Sequence, residues 1–229
     1  MQTICAISDT HGNPDYVNEI PECDILLHCG DIAPDYRGNT VDLQKKWFHS
    51  EFIQELQSTK AKNVVFIGGN HDFYLDKLYT LGMEDKFRES LPSNMFYLRD
   101  SSAVVNGLTI YGSPWVENLR RWAFHWNPYI PMHHAYSNVP AKPDIILLHS
   151  PPHGYSDVVI ELGETEHLGG KQVLNMLSKV RGANIFCGHI HGASHESVQV
   201  FNSTLRNVAY LNERYTRGYA PCVMTLNSL

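Results

Sequence analysis

The chain predicts a layered α/β domain, on three observations. Apolar runs of strand length recur along it, helical patterns lie between several of them, and no linker-like tract separates the two kinds. The first runs are Ile4 to Ser8, Ile25 to Cys29 and Val64 to Gly68. They are continuous rather than alternating, the pattern of strands covered on both faces. Ala103 to Tyr111, Ile145 to His149 and Ile185 to Cys187 follow, then Val198 to Phe201, Leu205 to Ala209 and Val223 to Leu226. The clearest helical pattern runs from about Val41 to Gln57, with Leu43, Trp47, Phe52, Ile53 and Leu56 expected on its apolar face. A second spans about Lys171 to Val180, where Val173, Leu174 and Leu177 face inward and Gly182 stops the helix. The segment from Gly112 to Pro143 fits neither pattern. It carries Trp115, Trp122, Trp126, Pro128, Pro131, His133 and His134, an aromatic content that flexible linkers lack, so an ordered excursion is expected.

With 229 residues, 43% of them hydrophobic, the chain can bury a full core, and a single domain over 1–229 is the expected organisation. A formal charge of -6 argues against an extended nucleic-acid-binding surface. It leaves open a small phosphorylated substrate, whose charge a metal ion rather than the protein surface would meet. The 13 histidines exceed what packing asks for, and histidine is the commonest metal ligand. Cys5, Cys23, Cys29, Cys187 and Cys222 form no Cys-x-x-Cys pair and sit mostly in apolar runs, as buried reduced thiols of a cytoplasmic protein would. Neither a secretion signal nor a stretch near the ~20 apolar residues of a membrane span is seen, so no membrane partner is expected.

Five of the strand-like runs lead into metal-capable residues. Asp9-Thr10-His11 follows the first, Gly30-Asp31 the second and Asn70-His71-Asp72 the third, the last preceded by Gly68-Gly69. His149 ends the run from Ile145, and Gly188-His189-Ile190-His191 follows the run from Ile185. Each motif alone reads as a turn as readily as a site. Together they fall where open α/β sheets place their ligands, at strand ends.

In this order, Asp-x-His, Gly-Asp, Gly-Asn-His-Asp, a lone His and Gly-His-x-His, the motifs resemble the signature of the calcineurin-like metallophosphoesterases. Gly112-Ser113-Pro114-Trp115 and His149-Ser150-Pro151-Pro152 further resemble a small subgroup of metallophosphoesterase-domain-containing proteins with phosphodiesterase activity toward cyclic nucleotides. The resemblance implies two mixed β-sheets packed as a sandwich and flanked by helices. It also implies two divalent metal ions, with Asp9, His11 and His191 on the first, Asn70, His149 and His189 on the second, and Asp31 bridging. A shell of oxygen and nitrogen without thiolate suits Mn, Fe or Zn. His71 is implied as the non-ligand that contacts phosphate and protonates the leaving oxygen. The expected activity is hydrolysis of a phosphodiester, that of a small nucleotide foremost. A phosphomonoesterase acting on nucleotides or phosphoproteins is the main alternative, and a nuclease or a non-catalytic scaffold are further ones.

Other residues carry weaker expectations. Asp35 or Asp72 could orient His71, although both read as members of a solvated loop. His28, inside a strand, reads as buried and hydrogen-bonded; His153 and His195 read as loop and surface residues. Arg120-Arg121 with Trp115, Trp122 and Trp126 could form a stacking wall for a base, against a plain helix with its aromatics on the core.

Overall fold

The computed structural model describes residues 1–38, 40–117, 119–125, 135–161, 163–193 and 195–227, so the expectations on Trp126, Pro128, Pro131, His133 and His134 lie outside the described residues. In chain order the first strands are β1 (Gln2–Ile7), β2 (Cys23–His28), β3 (Ala61–Phe66), β4 (Met95–Tyr97), β5 (Ser101–Val105) and β6 (Leu108–Ser113). Then come β7 (Ile145–Leu148), β8 (Val158–Glu161), β9 (Glu164–His167), β10 (Asn184–Cys187), β11 (Val198–Val200), β12 (Ser203–Asn207) and β13 (Cys222–Leu226). The helices are α1 (Thr40–Trp47), α2 (Ile53–Ser58), α3 (Phe73–Thr80), α4 (Glu84–Ser90) and α5 (Lys171–Leu177).

Two large mixed sheets result, ordered β13-β1-β2-β3-β4 and β11-β12-β10-β7-β6-β5, with β8-β9 as a separate hairpin. Strands β1 to β4 are mutually parallel and β13 is antiparallel on the edge. In the second sheet β6, β7, β10 and β12 are parallel, and both edges are antiparallel. Continuous apolar runs make sense of this order, because the central strands are covered twice. Ile4, Ile25, Leu27 and Val65 of the first sheet meet Ile110, Ile145, Leu147 and Phe186 of the second in one buried layer. The outer face of the first sheet packs Leu26, Val64 and Phe66 on Phe48, Phe52, Leu75 and Phe87 of the helical layer. The outer face of the second packs Ile146, Leu148 and Ile185 on Val173 and Leu177 of α5. Each such large apolar side chain taken fully from water stabilises the fold by about 1.5–3 kcal/mol.

Two expectations need correction. The run Ala103 to Tyr111 is not one strand but a hairpin, β5 and β6, turning at Asn106 and Gly107. Both have positive φ, 51° and 82°, as a two-residue turn matched to strand twist requires. The expected helix from Val41 is α1 and α2 joined by a π-helical turn over Phe48–Phe52. Within it Leu43 is exposed and Gln44 is fully buried, the reverse of their hydropathy. The reason lies in the neighbouring loop. The Gln44 amide nitrogen donates to the His71 carbonyl at 2.7 Å, and its Oε1 accepts from the Tyr74 backbone N–H at 3.0 Å. Gln44 thus satisfies an otherwise orphaned donor in the first turn of α3 and holds the loop that carries His71.

Replacing Gln44 with Leu leaves two buried backbone groups unpaired. Denaturant unfolding should show Gln44→Leu less stable by about 1–3 kcal/mol. Leu43→Gln, on the exposed face one residue away, should stay within about 0.5 kcal/mol of the parent.

Candidate metal centre

Parallel strands point their carboxyl ends the same way, so the loops that leave β1, β2 and β3 emerge side by side, as do those that leave β7 and β10. All eight residues picked out by the motifs lie on these five loops, and the structure brings them together. Three overlapping groups have ligand atoms within 4.8 Å of one another: Asp9, His11 and His191; His11, Asp31 and His71; Asp31, His149 and His189. Asn70 joins the third group, its Oδ1 lying 2.9 Å from His149 Nε2.

The two sheets are tied at this end. The His149 ring donates from Nδ1 to the Cys29 carbonyl at 2.9 Å, reaching from the loop after β7 to the end of β2. The His189 backbone N–H, after β10, donates to the carboxylate of Asp9, after β1, at 3.0 Å. The turns needed for such convergence are tight. Asp9, His11, Asp31 and His189 all have left-handed backbone, with φ of 55°, 45°, 50° and 68°. Non-glycine residues adopt that region at a cost, and clusters of them mark sites held by their surroundings. Two glycines admit the ligands by lacking a side chain. A Cβ on Gly188 would collide with Asp9 Oδ2 and Ser8 Oγ, and one on Gly69 with Asp31 Oδ1.

Charge explains what the cluster can hold. Asp9 and Asp31 are buried, which alone would raise their pKa values, yet the facing imidazoles hold both below the usual carboxylate range. For His191 and His149, burial opposes protonation. The Asp9 carboxylate outweighs it at His191 and the Asp31 carboxylate at His149, so both are pushed up to about 9. The pocket therefore demands positive charge. Protons meet that demand only in part: the His11 ring is buried with neither nitrogen hydrogen-bonded, and its pKa is lowered by burial first of all. A buried imidazole with two idle nitrogens beside two buried carboxylates is a donor set suited to divalent cations.

Asp35 and Asp72, expected in a solvated loop, do otherwise. Asp35 remains half-exposed, but its Oδ1 lies 2.6 Å from His71 Nδ1. That contact turns the His71 Nε2 toward Asp31, 3.9 Å from Oδ2. Burial lowers the His71 pKa, but the hydrogen bond to Asp35 and the charges of Asp31, Asp35 and Asp72 outweigh it and the net shift is upward. Asp72 is fully buried and accepts from the backbone N–H groups of Ile32 at 3.1 Å, Ala33 at 2.9 Å and Gly69 at 2.7 Å. It fastens the loop after β2 to the loop after β3, and with it Asp31 to Asn70.

The remaining histidines sort as follows. His28 is buried with its Nε2 3.0 Å from the Thr10 hydroxyl, as expected of a hydrogen-bonded strand histidine. His195 is half-buried rather than on the open surface, stacked on Tyr219 at 3.6 Å between ring centroids. His153 and His167 flank the buried Asp157 at the base of the β8-β9 hairpin, at 3.7 Å and 2.8 Å. Among the described residues of the stacking wall, Trp115 is buried with its indole N–H on Asp100, Arg120 and Arg121 are exposed, and Trp122 reaches the cluster, 4.4 Å from the His71 ring. Sequence reading missed Tyr215 and Asn212. The Tyr215 ring stands 4.8 Å from that of His11 and 5.1 Å from that of His191. The Asn212 carbonyl accepts from His191 Nδ1 at 3.0 Å and so turns its Nε2 to Asp9.

The profile of the calcineurin-like phosphoesterase family matches residues 2–193. UPF0046 protein K07C11.7 of Caenorhabditis elegans is 27% identical over 223 residues, covering 93% of this chain and 71% of that protein. Metallophosphoesterase domain-containing protein 1 of Homo sapiens is 27% identical over 244 residues, covering 96% of this chain and 69% of that protein. A solved crystal structure superposes with a TM-score of 0.64 at 15% identity over 90% of both chains, a likeness of fold.

The close approach at Gly188 can be tested. In Gly188→Ala the new methyl meets Asp9 and Ser8, and either backbone or carboxylate must shift. Stability measured by denaturant unfolding should fall by about 1–3 kcal/mol.

Proposed function

Because this chain belongs to the calcineurin-like phosphoesterases, we propose that it is a binuclear metal-dependent hydrolase of phosphodiesters, those of small nucleotides such as cyclic nucleotides foremost. The observation that carries the reading is the position of Asp31. Its Oδ2 lies 3.3 Å from His149 Nε2 and 3.8 Å from His11 Nε2, so one carboxylate stands between the ligand groups on either side. Asp9, His11 and His191 would hold one ion, Asn70, His149 and His189 the other, and Asp31 both. Two such ions, Mn, Fe or Zn, would supply Lewis-acid stabilisation of the phosphate oxygens and a nucleophile at neutral pH.

The chain's own residues supply the rest. His71 as imidazolium donates Nδ1–H to Asp35 and presents Nε2–H to the ester oxygen that leaves. As the P–O bond breaks, that oxygen takes the Nε2 proton and departs as the alcohol. Asp35 keeps the ring in place and favours its charged form before the transfer, which agrees with the upward shift at His71. Asp72 and Gln44 hold the backbone around His71, so the acid is fixed from three sides.

Metal content is the first test. Protein saturated in turn with Mn, Fe and Zn should carry about two ions per chain, and chelation should abolish hydrolysis reversibly. One ion at most in every case would overturn the binuclear reading. The second test separates the acid from the ligands. His71→Ala should keep both ions yet lose roughly 10²–10⁴ in rate on a diester with an alkoxide leaving group. The deficit should shrink on a nitrophenyl diester, whose leaving oxygen needs little protonation. An equal deficit on both, or a lost ion, would remove His71 from that role, and faster turnover of monoesters than diesters would favour the phosphomonoesterase alternative.

A further inference from the structure

Most aromatic side chains here are buried, and among the described residues only three are exposed: Trp122, Phe201 and Tyr215. Two of the three approach the same histidine, His71. The Trp122 ring lies 4.4 Å from that of His71, and the Tyr215 ring 6.5 Å from it. Both line one cleft of about 360 Å³, the size of a small-ligand site, whose floor includes Asp31, Asn70 and His71. An exposed indole and an exposed phenol beside a charged cluster do nothing for the core. Water contact with them is unfavourable, and a flat partner would relieve it.

Each ring is held out by local devices. Tyr215 itself has left-handed backbone, φ 55°, an uncommon state for a bulky side chain. The Asn212 side chain shapes its loop, accepting from the N–H groups of Arg214 at 2.9 Å and Thr216 at 3.3 Å and from the Thr216 hydroxyl at 3.1 Å. Beyond it, Arg217 pairs with Glu19, Nη2 to Oε2 at 2.7 Å, and clamps the loop to the body. Trp122 sits between Arg121 and Phe124, whose φ values are 71° and 46°, and the next residue, Ala123, donates its N–H to the Asn70 carbonyl at 3.0 Å. Strain retained on both sides of one cleft is the pattern of a ligand clamp. The excursion that carries Trp122 is thereby registered to the ligand loop itself.

We propose that Trp122 and Tyr215 form an aromatic jaw over the metal centre that binds the flat ring of a phosphoester's organic group, so that the enzyme selects esters carrying a planar aromatic group, a nucleobase being the natural case. The inference rests on the function proposed above and adds the residues that choose the substrate. The cluster takes the phosphate whatever it is attached to. The rings discriminate, because stacking needs a π-face and not a particular hydrogen-bonding edge. Leu119, Val158 and Leu168 continue the apolar wall of the cleft.

The test compares two ligands that share sugar and phosphate and differ in the ring, adenosine 5′-monophosphate and ribose 5-phosphate. Their affinities for Mn-loaded protein are measured by calorimetry, with hydrolysis of bis(4-nitrophenyl) phosphate followed alongside. The parent protein should prefer the adenosine ligand, and Trp122→Leu and Tyr215→Leu should each reduce that ratio roughly 10-fold or more. Trp122→Phe and Tyr215→Phe, which keep a ring, should preserve it. Both positions are exposed, so the variants are expected to fold. Equal affinity for the two ligands in the parent, or Leu variants with an unchanged ratio, would overturn the jaw while hydrolysis of the diester left the parent reading intact. Failure to hydrolyse any ester together with failure to bind either ligand would remove both.

Discussion

Asp9 and Asp31 are carboxylates taken out of water, and a buried carboxylate must be met by positive charge or by donors. Much of the architecture at the strand ends answers that demand. The His189 backbone N–H turns onto Asp9 and the His71 backbone N–H onto Asp31. Imidazoles crowd the remaining oxygens: burial lowers the pKa values of all four, but the carboxylates of Asp31 and Asp9 outweigh it at His149 and His191, while His11 and His189 move down. The left-handed backbone at Asp9, His11, Asp31 and His189 follows from the same requirement, since extended loops could not aim donors from five strands at two carboxylates. Stability here is held in tension: what the loops lose in strain and desolvation, the sandwich core of the two sheets must offset.

How far this was legible in the sequence depends on distance along the chain. The strand runs and the motifs that follow them are local patterns, and they located the central strands and the eight residues that the strand ends gather together. Ala103 to Tyr111 misled because Asn106-Gly107 is short and the residues around it are uniformly strand-like; the turn signal was there in the Asn-Gly pair. Helices α3 and α4 passed unread, being only seven or eight residues long, about two turns each. Gln44 was invisible for another reason. A polar residue is buried on α1 because a loop some 27 positions away needs its amide, and no periodicity encodes that.

The same limit governs the surroundings of His71. Asp72 belongs to the motif and reads as a residue that could orient His71, but its three backbone partners come from two different loops. Asp35 reaches the Nδ1 of a residue 36 positions on, from a segment whose composition is that of an ordinary solvent loop. Asn212 and Tyr215 carry no motif at all. Trp122 was noticed for its aromatic company, yet Trp115, seven positions before it, is a core residue whose indole serves Asp100. Composition singled out the excursion; only the tie from Ala123 to Asn70 tells which of its rings meets the site.

The hydrogen bond from His189 to Asp9 joins residues 180 positions apart. It crosses from one sheet to the other, and the first sheet is itself completed by β13 pairing with β1. During synthesis, therefore, the Asp9 carboxylate stays in water until its partner, 180 residues further on, has emerged. Closing so long a loop adds an entropic cost, and the tie between the two sheets forms only after the second sheet has been made. Asp9 is thus an early residue with a late partner.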